Sequence, residues 1–211
     1  MMYSAANIPH IYLTTQVDMS EQTRLREKIN PVIVDQLQQR LSFTALIAHA
    51  VAHVLPGHPF INSSIHNDEI ILWEDVHLGI ATALDEYLVV PVIREAQNKN
   101  MHEIMLELNR LIDKARHRKL LPSEMTGSTF TLSNLGMLGV DSFTAIINPP
   151  EIGILAVGEI QDMPVAIDKE ITIRPMMALT LGVDHRVVDG AQAGKFLRDL
   201  KEVLENPYLL I

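Results

Sequence analysis

The stretch Ala178-Leu179-Thr180-Leu181-Gly182-Val183 runs directly into Asp184-His185-Arg186-Val187-Val188-Asp189-Gly190. The first six residues are an apolar run that reads as a strand, and the periodic segment Gly190 to Glu205 reads as a helix that closes the chain. This order places a histidine at a strand terminus, with an aspartate four residues later. Histidine suits general-base work near neutral pH because its unperturbed pKa lies there, and a nearby carboxylate can fix the local geometry. From spacing alone two readings stand: a base, or a histidine that only hydrogen-bonds its own turn.

Upstream, Ile8 to Asp18 alternates β-branched and polar residues after a proline, as a half-buried strand would. Ser20 followed by Glu21 predicts a capped helix to about Gln39, and Ser42 opens another that carries Leu46, Ile47, Val51 and Val54 to the stop at Pro56-Gly57. Short strands are expected at Glu69 to Trp73, Val76 to Ala83 and Leu88 to Ile93. A helix from about Met101 to Lys119 carries Ile104, Leu108, Leu111, Ile112 and Ala115 on one stripe. Strands follow at Thr129 to Ser133, Phe143 to Ile147 and Ile152 to Gly158, with a hairpin over Val165 to Arg174. Strands and helices mix without a regular βαβ rhythm, which predicts an α/β sandwich with a mixed sheet and not a doubly wound parallel one. With no internal repeat and no low-complexity linker, residues 1–211 read as one domain.

The 211 residues hold 26 Asp and Glu against 17 Lys and Arg, a net charge of -9 with histidine neutral. A phosphate-backbone binder needs a clustered basic surface, so nucleic acid is not expected as a partner. Cysteine is absent, which removes disulfides, thiolate metal sites and a cysteine nucleophile, and points to a reducing compartment. His49, His53, Pro149 and Pro150 break the most apolar stretches before they reach the roughly eighteen residues of a membrane span, so no membrane association is expected. The doubled Met1-Met2 reads as an expression start placed on an excised piece.

Three blocks, taken together, resemble the acyltransferases of 2-oxo acid dehydrogenase complexes. The first is Asp184-His185-Arg186-x-x-Asp189-Gly190, whose core His-x-x-x-Asp-Gly is shared with chloramphenicol acetyltransferase. The second is Gly127 to Gly136, containing Phe130-Thr131-Leu132-Ser133-Asn134, together with Phe143 to Glu151. The third is Leu88-Val89-Val90-Pro91-Val92-Ile93-Arg94. The resemblance extends from Ile8 to Ile211. It implies a chloramphenicol-acetyltransferase-like two-layer sandwich with a mixed β-sheet, and transfer of an acyl group between a dihydrolipoyl thiol and coenzyme A. By the same resemblance His185 is the general base and Ser133 donates to the oxyanion. A positioned donor of that kind contributes about 2.7 to 4 kcal/mol to barrier lowering. Asp189 would hold the shape of the site. Arg26, Ser42 and Asn134 fall where family members contact coenzyme A. The family further implies a homotrimer with the site between subunits, assembly into a larger cage through the apolar tail Asn206 to Ile211, and partnership with dehydrogenase subunits. The lipoyl group would come from a lipoyl domain that, like a peripheral-subunit-binding domain, is absent from this chain. The expected location is the cytoplasm, or the mitochondrial matrix in a eukaryote.

Gly136 to Val140 with Ile147 to Pro150 looks more like the pyruvate-complex members than the succinyl-transferring ones, which favours acetyl. A branched acyl group, a non-catalytic scaffold subunit and a chloramphenicol-type enzyme stay open. A Ser-His-Asp hydrolase fits poorly, because no Gly-x-Ser-x-Gly elbow is present and the histidine does not come last. Asp113-Lys114-Ala115 mimics the tripeptide around a lipoylated lysine, but Lys114 stands inside a helical pattern and reads as a surface lysine. His49 and His53 have metal-ligand spacing with no third ligand apparent, so no metal is expected. They and His10, His77, His102 and His117 read as packing or capping residues. The acidic or amide residue that helps hold the cofactor in many members is not identifiable in Thr82 to Tyr87.

Overall fold

A computed structural model describes residues 2–67, 69–84 and 87–210. In chain order the elements are α1 (Met2–Asn7), β1 (His10–Asp18), α2 (Ser20–Leu37), α3 (Phe43–Val54), β2 (Ser63–His66), β3 (Glu69–Leu72) and β4 (Leu78–Ala83). They continue as β5 (Leu88–Val89), β6 (Val92–Ile93), α4 (Met101–Arg116), β7 (Phe130–Asn134), β8 (Gly153–Ile167), β9 (Glu170–Asp184) and α5 (Gly190–Glu205). The main sheet runs β1-β9-β8-β7-β4-β5, with β6 also pairing β4. The β4–β7 and β7–β8 pairs are parallel and the others antiparallel, so the sheet is mixed, as expected.

Helices α3, α4 and α5 bury their apolar stripes against this sheet. Leu46, Ile47 and Val51 of α3, Ile104, Leu108 and Leu111 of α4, and Phe196, Leu200 and Leu204 of α5 share one core with Leu132, Leu155, Leu179 and Leu181. Each helix has a sound physical start. The Ser42 side chain accepts from Ala45 N–H at 3.1 Å, and Asn100 and Asp189 each form a capping box with the residue three positions on. From Met177 to Asp184 every residue of β9 is buried. A strand covered on both faces carries continuous apolar character and not alternation. A small cluster of Ile8, Ile147 and Ile154 stands apart from the main core.

Four expectations need correction. Residues 143–147 form no ladder; they run extended, and side chains of the N-terminal arm hold them. Ser20 does not cap α2 from outside: it is the first helical residue, and Asp18 Oδ1 accepts from both its N–H and its hydroxyl, at 2.9 and 2.5 Å. The expected run from Leu88 to Ile93 is divided at Val90-Pro91, since proline has no N–H to give to a ladder. The strands expected around Ile152 to Val183 merge into one long hairpin, β8–β9, turned at Asp168 and Lys169, both with positive φ. Such a pair of left-handed residues matches the twist of a two-residue hairpin.

Candidate active site

Strand β9 ends at Asp184 and α5 begins at Gly190, so His185 sits in a turn clamped at both sides. The N–H groups of Val187 and Val188 donate to Asp184 O at 3.1 and 3.0 Å, and His185 N–H donates to Pro9 O at 2.9 Å. Asp184 is 1% exposed. Its Oδ1 accepts from Arg186 N–H and from Arg186 Nε–H, both at 3.0 Å, and its Oδ2 accepts from the guanidinium at 2.5 Å.

The His185 ring itself is exposed in the single chain. Its Nδ1 lies 3.1 Å from Val188 O. A carbonyl oxygen only accepts, so Nδ1 carries the hydrogen of the neutral ring and Nε2 keeps its lone pair. Asp189 acts on the helix: its Oδ1 accepts from Gln192 N–H at 2.8 Å, and Gln192 Oε1 accepts from Asp189 N–H at 3.0 Å.

Ser133 lies on β7 between Ala81 of β4 and Ala156 of β8. Leu132 belongs to the core beneath the helices and Asn134 bonds Thr44 at the start of α3, so alternation turns Ser133 to the opposite face. Ala156 is level with Thr180, which puts His185 five residues further along and two strands across. At about 3.3 Å per residue and about 4.8 Å per strand, the two are separated by ~16 Å along the sheet and ~10 Å across it. One chain therefore does not bring Ser133 and His185 together.

It does bring Arg26, Ser42 and Asn134 together, in a cleft of about 390 Å³ also lined by Thr44, Met137 and Glu159. Arg26 Nε–H donates to Leu41 O at 2.9 Å and its guanidinium stands 4.7 Å over the Phe43 ring. Asn134 Nδ2–H donates to Thr44 Oγ1 at 3.0 Å, while its Oδ1 accepts from Gly136 N–H at 2.9 Å. Two glycines let backbones cross here. A Cβ on Gly136 would fall 2.4 Å from Gly158 O, and one on Gly158 would fall 1.9 Å from Asp141 O.

Two buried carboxylates lie within the quoted blocks, where sequence alone gives them no role. Asp184 was hidden inside the signature, its apolar flank giving no hint of an ion pair. Glu151, 1% exposed, follows a cis Pro149-Pro150 bond and accepts from Ser128 Oγ at 2.5 Å, Thr131 Oγ1 at 2.6 Å and Asn148 Nδ2 at 2.9 Å. Burial pushes its carboxyl above the usual range, against the pull of those three donors. The two positions Asp85 and Glu86, within the Thr82 to Tyr87 stretch, lie outside the described residues.

Lys114 stands on α4 with its ammonium 2.8 Å from Glu124. His49 has a buried Nδ1 without a hydrogen-bond partner, and burial, then the neighbouring His53, lower its pKa. Among the described residues no three His, Asp or Glu side chains are grouped to hold a metal ion. No described helix is long and apolar enough to cross a membrane. In the tail, Tyr208 and Leu209 are exposed at 66% and 52%, and Ile211 lies outside the described residues.

Residues 1–211 match the family of 2-oxoacid dehydrogenases acyltransferase (catalytic domain). The chain is 38% identical over its whole length to the dihydrolipoyllysine-residue acetyltransferase component of the acetoin cleaving system of Bacillus subtilis, covering 53% of that protein. It is 41% identical over 94% of its length to the succinyltransferase component of the 2-oxoglutarate dehydrogenase complex of the same organism, covering 48% of it. The chain thus spans about half the length of the curated relatives it matches. Among solved structures it resembles the cubic core of the pyruvate dehydrogenase multienzyme complex, with TM-score 0.95, 33% identity, and coverage of 99% of this chain and 86% of that one. It equally resembles Azotobacter vinelandii dihydrolipoamide acetyltransferase, with TM-score 0.95, 34% identity, and coverage of 99% and 86%. That structure concerns the role of a serine, a histidine and an asparagine in the catalytic mechanism, spaced along the chain as Ser133, His185 and Asp189 are here. A chloramphenicol acetyltransferase shares the fold at TM-score 0.61 and 15% identity, covering 93% of this chain and 89% of that one.

Proposed function

Since this chain belongs to the 2-oxoacid dehydrogenase acyltransferase family, whose catalytic domain matches it from end to end, we propose that it moves an acyl group between a dihydrolipoyl thiol and coenzyme A. The observation that carries this is the His185 imidazole, tethered through Nδ1–H to Val188 O so that the Nε2 lone pair is free to take a proton. Nε2 accepts the proton of the incoming thiol, and the thiolate attacks the thioester carbonyl of the other substrate. The tetrahedral oxyanion is stabilised by the Ser133 hydroxyl. Collapse expels the second sulfur as a thiolate, which takes the proton from the imidazolium. The nucleophile is carried in by the substrates, so no group of the chain becomes acylated.

Ser133 and His185 are too far apart in one chain to act on one carbonyl, so the site is shared: His185 from one subunit and Ser133 from its neighbour. A trimer satisfies this requirement, and the cubic core of a related complex supports further assembly. Coenzyme A occupies the cleft of Arg26, Ser42 and Asn134. The Arg26 guanidinium there suits a phosphate, and Asn134 leads directly to Ser133. The dihydrolipoyl group arrives on a lipoyl domain, and dehydrogenase subunits supply its acyl load.

Acetyl is the preferred acyl group, on the likeness to acetyltransferase components of pyruvate and acetoin systems. Succinyl is the second reading, because the succinyltransferase relative is 41% identical. Rates with acetyl-, isobutyryl- and succinyl-CoA and free dihydrolipoamide test both the reaction and the preference, with His185→Ala as control. Absence of turnover by the wild-type chain would favour a non-catalytic core subunit. Acylation of chloramphenicol in place of dihydrolipoamide would assign the hydroxyl-acylating chemistry.

A further inference from the structure

Between β7 and β8 the chain crosses the sheet as an extended run, residues 143–147, that belongs to no strand. Side chains of the N-terminal arm take the place of a ladder. The Ser4 hydroxyl donates to Ile147 O at 2.7 Å, and the Tyr12 hydroxyl donates to Ala145 O at 3.1 Å. Ile147 N–H donates to His10 Nε2 at 3.1 Å. The other ring nitrogen of His10 lies 2.8 Å from Ile8 O, which only accepts, so Nδ1 carries the hydrogen and Nε2 is left as the acceptor. Both nitrogens of this half-buried ring are therefore committed.

The same ring stands beside the His185 turn. His10 is the Cα partner of Asp184 across the β1–β9 ladder, and the residue before it, Pro9, accepts the His185 N–H at 2.9 Å. Tyr12 stacks on His10 with ring centroids 5.8 Å apart. Gly182 leaves room for the Tyr12 ring, since a Cβ there would meet it at 2.8 Å. Ile147 is fully buried, so its N–H has no water to turn to if the imidazole is lost.

We infer that His10 is a positioning residue for acyl transfer: its Nδ1-H tautomer fastens Ile147 to the strand edge that anchors His185. The inference rests on the reading of His185 as the base. Loss of the ring leaves the His185–Val188 bond intact but frees the Pro9 edge to shift. That displaces the base and spares the coenzyme A cleft, which lies toward the other end of β7.

His10→Leu and His10→Gln separate positioning from general support, because the Gln Oε1 can accept from Ile147 N–H and leucine cannot. In the intact chain the leucine variant should lose about tenfold or more in kcat, with KM for acetyl-CoA within about twofold of wild type. Amide exchange at residues 145–148 should accelerate in it, and glutamine should restore both readouts. Equal losses in the two variants, a rise in KM with kcat unchanged, or unaltered exchange in the leucine variant would overturn the inference. Should the wild type show no turnover, the functional reading falls and exchange alone still judges the latch. Should the leucine variant fail to fold, the wild-type ¹⁵N shifts of His10 decide: a protonated Nδ1 with an accepting Nε2 supports the latch, and the opposite tautomer refutes it.

Discussion

Asp184 and Arg186 grip one another across a single residue, and that residue is His185. The carboxylate is almost wholly buried, while the arginine side chain is 47% exposed. Asp184→Asn should lower kcat with little change in KM, because it loosens the turn that aims the imidazole and leaves the cleft alone. The loss of stability should fall below the roughly 3 to 5 kcal/mol expected for breaking a fully buried pair, since water can solvate the arginine head. Thermal melts and steady-state kinetics of the one variant check both statements.

Ser133→Ala should cost about 10² to 10³ in kcat, the range for removal of one oxyanion donor, with the melting temperature nearly unchanged. The hydroxyl sits between two small neighbours, Ala81 and Ala156, so its removal leaves little void. A loss below about tenfold would remove Ser133 from the oxyanion role.

Mixing His185→Ala subunits with Ser133→Ala subunits, by refolding or co-expression, should restore activity that neither homo-oligomer has. With random assembly roughly a quarter of the sites would combine an intact histidine with an intact serine from the neighbour. If both groups acted within one chain, the mixture would stay as inactive as its parents.

Glu151→Gln should change how stability depends on pH. Burial raises the folded-state pKa of Glu151 above its unfolded value near 4.5. The stability it contributes is then fully present below about pH 4.5 and is lost as pH rises through the raised folded value. Glutamine does not titrate, so its melting temperature should gain on wild type as pH rises above about 4.5 and fall level or behind below it. A gain on the acid side instead would refute the raised pKa of Glu151.

Much of this architecture is written in local pattern. The stripes of α3 and α4 and the caps at Ser42 and Asn100 each act within a few residues, which is why periodicity locates those helices. Residues 143–147 show the limit. Their alternation is strand-like, but whether an extended run joins a ladder depends on which partner reaches it, and here Ser4, His10 and Tyr12 arrive first. Glu151 shows another limit, since its donors Ser128 and Thr131 lie 23 and 20 positions upstream and no spacing rule links them. The signature blocks single out His185, Ser133 and Asp189 as candidates, whereas the tautomer of His185 depends on the Val188 carbonyl, whose position follows from the folded turn. The separation of Ser133 from His185 follows from sheet order, which the sequence does not print.

The stacked backbone at Gly136 and Gly158 limits how this chain could be re-engineered. With neighbouring carbonyl oxygens at 2.4 and 1.9 Å from any added Cβ, neither position tolerates even alanine without moving a whole chain segment. A library aimed at altered thioester selectivity should freeze both and vary Met137, Ile160 and Met177, whose flexible or apolar side chains also line the cleft. Adaptability at that wall resides in its side chains, on a frame that leaves no slack.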